Sequence, residues 1–192
     1  MTPEDGSRPA GGAGRYDPFS IVLHWLLAIL VLALIPLGLV VARLPFPGEA
    51  YDRWHMWHRS LGEIAFVVVL VWLGWSRRRP PPPPLRDDRP WRAALARAVH
   101  GAMIALLVVL PVSKLVRGAF GVGWEFFGLT LAAPWPRNAA VSAPLGRLHD
   151  WSGYLLIALT LLHLAAALWR TLALRDGTLR RILPSRPEPG RS

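Results

Sequence analysis

Four apolar segments, each long enough to cross a membrane as a helix, constrain this chain more than any other feature. About 20 apolar residues, at a rise of about 1.5 Å each, span the hydrocarbon core of a bilayer. The hydrophobic content of 53% also exceeds that of ordinary soluble domains. Asp17 and Pro18 form a typical helix start, with aspartate as N-cap and proline in the first turn. We therefore predict an all-α fold, an integral membrane four-helix bundle, with helices at about residues 18–43, 51–75, 91–116 and 145–174.

The segments that flank these helices are polar, basic or rich in proline. Residues 1–16 are rich in glycine and carry no apolar segment of a cleavable signal peptide, so we expect a flexible tail. Five consecutive prolines, Pro80–Pro84, predict a stiff polyproline linker between helices 2 and 3. Between helices 3 and 4, residues 118–144 are too many for a simple connector. The transmembrane domain is thus expected over residues 17–175, followed by a basic tail at 176–192.

Arginine placement indicates how the bundle is oriented in the membrane. Arginines concentrate around the linker between helices 2 and 3 and in the C-terminal tail, at Arg77, Arg78, Arg79, Arg86, Arg89, Arg92, Arg175, Arg180, Arg181, Arg186 and Arg191. By the positive-inside rule, both termini and this linker are cytoplasmic, and the other two connections face outward. Because the basic residues that give the net charge of +10 flank apolar segments, we expect contact with membrane lipid and no nucleic-acid partner.

Four histidines lie at two matched depths in the predicted helices. His149 and His163, fourteen residues apart on helix 4, point within about 40° of each other and lie roughly 21 Å apart along the axis. His24 and His163 are both about 10 Å deep from the cytoplasmic side, whereas His58 and His149 lie near the outer side. Two imidazoles saturate a haem iron, which suits electron transfer. We therefore predict two non-covalent b-type haems with the axial pairs His24/His163 and His58/His149, and an electron path across the membrane.

Other interpretations of the histidines stay open at this stage. His55 lies one turn before His58, so it is a second candidate for the outer ligand or an interfacial histidine. His100, on helix 3 at the inner depth, is a further candidate ligand, a packing residue or part of a quinone pocket. Polar packing of all four histidines is the simplest alternative, and a zinc or two-metal site lacks carboxylates at a suitable spacing. The absence of cysteine excludes thiolate metal sites, iron–sulfur clusters and covalently attached c-type haem.

The motifs around these histidines resemble those of the bacterial cytochrome b561 family, four-helix membrane cytochromes with two haems. The resemblance covers residues 19–184 and rests on Leu23-His24-Trp25, Met56-Trp57-His58-Arg59-Ser60-Leu61-Gly62, His100, Leu110-Pro111-Val112, Phe127-Gly128-Leu129-Thr130, His149, His163 and Leu183-Pro184. It implies b haems held by the same two histidine pairs, electron exchange with a ubiquinone-type quinone, and a place in the bacterial inner membrane. Some members are similar to superoxide:ubiquinone oxidoreductases, which take an electron from periplasmic superoxide.

Basic residues also lie on the predicted outer side, where the positive-inside rule does not favour them. These candidates are Arg59, Lys114, Arg117 and Arg147, with Arg53 nearby. One hypothesis is a cationic funnel that steers superoxide or another small anion to the outer haem. The alternative pairs Arg59 and Arg147 with haem propionates, and Lys114 and Arg117 with lipid phosphate. Two outer acids are candidates for proton transfer or for orienting His149, namely Glu125 and Asp150.

The sequence thus favours a di-haem cytochrome b that passes electrons between a periplasmic donor, such as superoxide, and the quinone pool of the respiratory chain. As an enzyme it would be an oxidoreductase. One alternative is a cytochrome subunit that anchors a periplasmic dehydrogenase or hydrogenase. Another is a haem-free transporter or structural bundle.

Overall fold

The computed structural model describes residues 14–83, 89–121 and 123–183. The predicted tail before residue 14, the end of the linker at 84–88 and the tail after residue 183 lie outside the described residues.

Four long helices dominate the fold, and they confirm the predicted all-α membrane bundle. They are α1 (Pro18–Val41), α2 (Glu49–Arg78), α3 (Pro90–Ala119) and α4 (Ala139–Trp169). All four are long and apolar enough to cross a membrane. The last continues as a π-helical turn at Arg170–Leu174, and a 3-10 turn follows at Leu179–Arg181. The connection between α3 and α4 holds a short antiparallel hairpin of β1 (Trp124–Phe126) and β2 (Leu129–Leu131).

Side-chain caps explain where two of the helices begin. Asp17 caps α1, because its carboxylate accepts a hydrogen bond of 3.1 Å from the backbone N–H of Ser20. This confirms the helix start predicted from the Asp-Pro pair. Asn138 caps α4 in the same way through the N–H of Ala140, at 3.0 Å. The helix therefore starts at Ala139, before Pro144, where the sequence pattern had placed the start after that proline.

The helices pack as two pairs, and their outward faces stay apolar. Between α1 and α2, the side chains of Leu23, Leu30, Ala65 and Val68 form a buried cluster. By contrast, large apolar side chains on the outward faces are more than half exposed, namely Val22, Ile29, Val67, Leu155 and Leu161. Exposed apolar side chains along whole helices suit contact with lipid tails, because the tails are themselves apolar.

Both described chain ends and the linker meet at one end of the bundle, which we call the terminal end. Arg181 joins three segments there, because its guanidinium donates to the carbonyls of Gly14 at 2.7 Å and Pro83 at 2.8 Å. Trp25 Nε1 donates to the carbonyl of Ile182 at 2.8 Å, and this fastens the C-terminal segment to α1. The terminal end is therefore tied together by side-chain to backbone bonds between segments distant in sequence.

The β-hairpin occupies the opposite end, which we call the hairpin end. The buried hydroxyl of Ser60 on α2 accepts a hydrogen bond of 2.8 Å from the N–H of Phe127 in the hairpin turn. Trp124 Nε1 donates to the carbonyl of Leu115 on α3 at 2.9 Å. The hairpin is thus anchored to α2 and α3, close to the histidines on α2 and α4.

Candidate haem-binding sites at the two ends of the bundle

At the hairpin end, the imidazoles of His58 on α2 and His149 on α4 face each other. Their ring centroids are 6.3 Å apart and their planes are inclined at 83°. Nδ1 of His149 lies 3.0 Å from the backbone carbonyl of Leu110. Because a carbonyl only accepts hydrogen bonds, Nδ1 carries the proton, and Nε2 keeps its lone pair for a metal.

The surroundings of His58 also suit a bound group. Its Nδ1 is buried and has no hydrogen-bond partner among the described residues. A Cβ atom added at Gly38 on α1 would lie only 2.9 Å from Cε1 of this ring. Buried polar atoms in proteins are normally paired, and this ring already bonds to the backbone of Leu34, so Nδ1 is the nitrogen that remains free for a ligand.

The spacing of this pair fits two imidazoles bound to one iron. Two imidazoles that would hold one metal atom between them, at metal–nitrogen distances of about 2 Å, would have centroids about 6 Å apart. The observed 6.3 Å agrees with this arrangement. The residues at the hairpin end therefore fit the b-type haem that the histidine pattern predicts.

His55 has different neighbours from His58. Its ring stacks on Tyr51, with centroids 5.2 Å apart and planes inclined at 18°. It is half-buried and close enough to Arg59 and Lys114 to interact with both electrostatically. The ring contact with His149 is made by His58.

Three histidines gather at the terminal end, one from each of three helices. The rings of His100 on α3 and His163 on α4 touch edge to face, with centroids 4.8 Å apart. His24 on α1 is close enough to both rings for electrostatic interaction. Nδ1 of His100 lies 2.8 Å from the carbonyl of Ala96, one turn earlier in its own helix. These two rings are closer together than the 6.3 Å that separates the facing pair at the hairpin end.

Among the residues that the structure describes, no group of three or more histidine, aspartate or glutamate side chains is arranged as a zinc or two-metal site would require.

Three of the four outer basic residues gather around the hairpin-end histidines. Lys114 on α3 is close enough to His58 and His149 to act on both electrostatically. Arg59 forms an ion pair of 3.6 Å with Glu125 of the hairpin. Arg117 lies against α4, since a Cβ added at Gly146 would be 3.6 Å from its Cζ.

The other predicted outer residues are exposed on the surface. Arg147 is exposed and makes no hydrogen bond or ion pair with any residue that the structure describes. Asp150 is exposed and close enough to Lys114 to act on it electrostatically. Arg53 is exposed as well.

The structure adds two site residues that the sequence analysis did not single out. Gly38 provides the space beside His58, and a glycine inside an apolar helix is a recognised signal of close approach. Ser113 is buried, donates a hydrogen bond of 2.7 Å to the carbonyl of Leu110 and lies 3.4 Å from His149 Nδ1. A lone serine in an apolar helix gave no comparable signal, because such hydroxyls commonly bond to their own helix.

The fold and these sites define a class: a multi-pass membrane protein whose facing histidines on different helices suit b-type haem. The chain belongs to the prokaryotic cytochrome b561 family, whose model matches residues 15–185. Membership shows membrane electron transfer and implies b-type haem, and it confirms the resemblance seen in the motifs.

Three relatives match almost the whole chain. Cytochrome b561 homolog 2 of Escherichia coli K12 is 31% identical over 176 residues, covering 88% of this chain and 91% of that protein. Cytochrome b561 homolog 1 of the same organism is 24% identical, covering 90% and 98%. A protein named probable superoxide oxidase CybB, from Yersinia pestis, is 27% identical, covering 90% and 97%.

Proposed function

We propose that this protein carries electrons across the bacterial inner membrane, from a donor at the hairpin end to the quinone pool, through two b-type haems. In this proposal the hairpin end faces the periplasm and both termini are cytoplasmic. The observation that carries it is the facing pair His58 and His149, with centroids 6.3 Å apart and Nδ1 of His149 held by the Leu110 carbonyl. Bound haem iron supplies one-electron redox chemistry at such a pair.

The protein's own groups would hold each haem and keep its ligands still. His58 and His149 would bind at the hairpin end, and His24 and His163 at the terminal end. All four project from membrane-spanning helices, so their positions change little when an electron arrives or leaves. At the terminal end, His100 would support His163 through the ring contact and would not itself bind the iron.

We propose superoxide as the donor, on the basis of charge around the hairpin-end pair. Lys114 and Arg117 put positive charge beside the histidines, while Arg59 is paired with Glu125. Such a group attracts a small anion and raises its rate of arrival. Superoxide would give up one electron and leave as dioxygen. A quinone that receives two electrons in turn takes up two protons and leaves as quinol. The similarity to a probable superoxide oxidase supports this choice.

The haem content of purified variants tests the two pairs. We expect two haems per chain in the parent protein and one each in His149→Ala and His163→Ala, since each change removes one ligand. His55→Ala, matched to His58 one turn away, should keep both haems. A parent protein with one haem or none would contradict the proposal.

Stopped-flow reduction by superoxide tests the donor. We expect the rate of haem reduction to fall about tenfold or more as the ionic strength rises from about 10 to about 200 mM. Over this range salt shortens the distance at which the cationic residues attract an anion. Lys114→Ala and Arg117→Ala should slow the reaction at low salt, while Arg43→Ala, an exposed arginine at the same end, should not. A rate independent of both salt and these residues would exclude the cationic funnel.

A second candidate function is an anchor subunit for a periplasmic dehydrogenase or hydrogenase. The hairpin favours it, because Leu129 and Leu131 are 74% and 68% exposed. Exposed apolar side chains on a connection mark a surface for a partner or for lipid. This candidate predicts that the purified protein alone is not reduced by superoxide and copurifies with a partner bound over the hairpin.

A further inference from the structure

A second kind of site lies at the terminal end, away from the histidines. A cavity of about 320 Å³ is lined by the segment before α1 and by the end of α2 and the start of the linker. Three arginines line it, Arg15, Arg78 and Arg79, together with one carboxylate, that of Asp17. Side chains from two segments distant in sequence thus converge on one space, as they do in a binding site.

The surrounding backbone is held in place by the same bonds that join the terminal end. Arg181 binds the carbonyls of Gly14 and Pro83, which are next in sequence to the lining residues Arg15 and Pro82. Arg15 itself donates to the carbonyl of Leu183. These segments therefore do not depend on a ligand for their position. Binding would cost little conformational entropy, because the protein side of the site is already ordered.

The single acid in the cavity is already engaged by the protein. The carboxylate of Asp17 accepts hydrogen bonds from Ser20 N, from Ser20 Oγ at 2.5 Å and from Trp75 Nε1 at 3.1 Å. The guanidiniums of Arg78 and Arg79 make no ion pair with any residue in the described ranges. Three guanidiniums against one carboxylate leave the lining with a net positive charge.

The position of the cavity identifies the kind of anion. Arg78 ends a membrane-spanning helix, and Phe19 and Trp75 pack edge to face one turn deeper, with centroids 4.8 Å apart. Tryptophan is enriched at the level of lipid headgroups. Cationic side chains just beyond Trp75 are at the depth of lipid phosphates, and guanidinium groups bind phosphate oxygens in a bidentate manner.

We propose that this cavity binds the phosphate headgroup of an anionic phospholipid, with Arg78 and Arg79 as the main contacts. The lipid would join the segment before α1 to the end of α2, next to the bonds by which Arg181 joins Gly14 to Pro83. The proposal is independent of the haem sites and of the electron donor.

Binding of phosphatidylglycerol to the full-length protein, followed by native mass spectrometry after detergent exchange, tests this site. We expect the parent protein to retain phosphatidylglycerol and Arg78→Gln/Arg79→Gln to lose affinity by about tenfold or more. The reason is that each arginine near the membrane surface adds to the free energy of binding an anionic lipid. Arg180→Gln removes an exposed arginine at the same end that does not line the cavity, so binding should be unchanged. Arg78→Lys/Arg79→Lys keeps the charge without the bidentate geometry and should bind at an intermediate level.

Two further arms identify the source of the phosphate. Phosphatidylcholine should not be retained, and millimolar inorganic phosphate should not displace the bound lipid. Equal retention of both lipids, or equal loss in Arg180→Gln, would overturn the proposal. Displacement by inorganic phosphate would reassign the cavity to a soluble anion and overturn the lipid assignment. Helical content by circular dichroism reports whether each variant has folded.

Discussion

Gly38 is the residue that lets α1 approach the imidazole of His58. With no Cβ, it leaves the ring a space that alanine would fill, at 2.9 Å from Cε1. Contacts that close force either the ring or the helix to move. The orientation of a proposed iron ligand thus depends on a residue in a different helix.

Gly38→Ala should therefore reduce the haem content at the hairpin end. We expect the pigment to fall from two haems towards one per chain, with the helical content unchanged, by pyridine haemochrome assay and circular dichroism. Gly74→Ala on α2 is the matched control, because nothing lies within 4 Å of a Cβ added there. Full haem content in Gly38→Ala would show that the ring has other room to move.

Ser113 acts on His149 through a shared acceptor. Its hydroxyl and the ring N–H both use the carbonyl of Leu110, at 2.7 and 3.0 Å. Removing the hydroxyl leaves the carbonyl a stronger acceptor for the imidazole, which makes the ring a more basic ligand. Ser113 is thus a positioning residue for His149.

In Ser113→Ala we expect the midpoint potential of one haem to fall by on the order of tens of millivolts, without loss of haem. Redox titration followed by optical spectroscopy measures it. Ser76→Ala removes a similar hydroxyl-to-carbonyl bond, from Ser76 to Leu73, at the terminal end. A potential that is the same in both variants would contradict the role of Ser113.

The β-hairpin is the element that the sequence did not predict. Its strands have three residues each, too short for alternation of polar and apolar residues to show. The two residues of its turn, Phe127 and Gly128, both have positive φ, at 44° and 85°. The sequence showed only that residues 118–144 exceed the length of a simple connector. The hairpin forms because α2 and α3 offer partners for it, in Ser60 and the carbonyl of Leu115.

Ser60→Ala should loosen the hairpin from α2. The N–H of Phe127 loses its acceptor at a partly buried position, a cost of about 0.5–1.5 kcal/mol. We expect faster proteolysis within the α3–α4 connection, with the four helices intact, measured by limited digestion and mass spectrometry. Thr130→Ala, an exposed change in β2, should leave the digestion rate unchanged. Equal rates in both variants would mean that the hairpin is held by other contacts.

At the scale of the whole molecule, the terminal end depends on the charge of Asp17. Burial alone would raise the pKa of this carboxyl, but hydrogen bonds from Ser20 and Trp75 outweigh it and hold the pKa below the ordinary 3.8. A pKa that is lower in the folded state stabilises the fold above the unfolded value, and this stabilisation is lost as pH falls through the folded value.

Asp17→Asn should therefore be less stable than the parent at pH 7, and the difference should shrink as the pH falls below about 4. Thermal unfolding in detergent at pH 7 and at pH 3 measures it. Asp52→Asn, an exposed aspartate at the other end, should show no such pH-dependent difference. A constant difference across this range would mean that the charge of Asp17 contributes nothing.

The proposed orientation is also a property of the whole molecule, and the lack of cysteine makes it directly measurable. In intact spheroplasts we expect a membrane-impermeant maleimide to label Arg43→Cys at the hairpin end and not Arg180→Cys at the terminal end. Both should be labelled after the membrane is opened. The reverse pattern would contradict cytoplasmic termini.

The sequence by itself determined the four long apolar helices, the cap at Asp17 and which histidines share an end of the bundle. These depend on local quantities, namely hydropathy over about 20 residues and a rise of about 1.5 Å per residue. It did not determine which rings meet across helices. Only the tertiary structure placed His58 against His149 while His55 stacks on Tyr51, and put His100 beside His163. The physical reason is that depth is measured along one helix axis, whereas ring contacts depend on how each helix is rotated and packed against its neighbours.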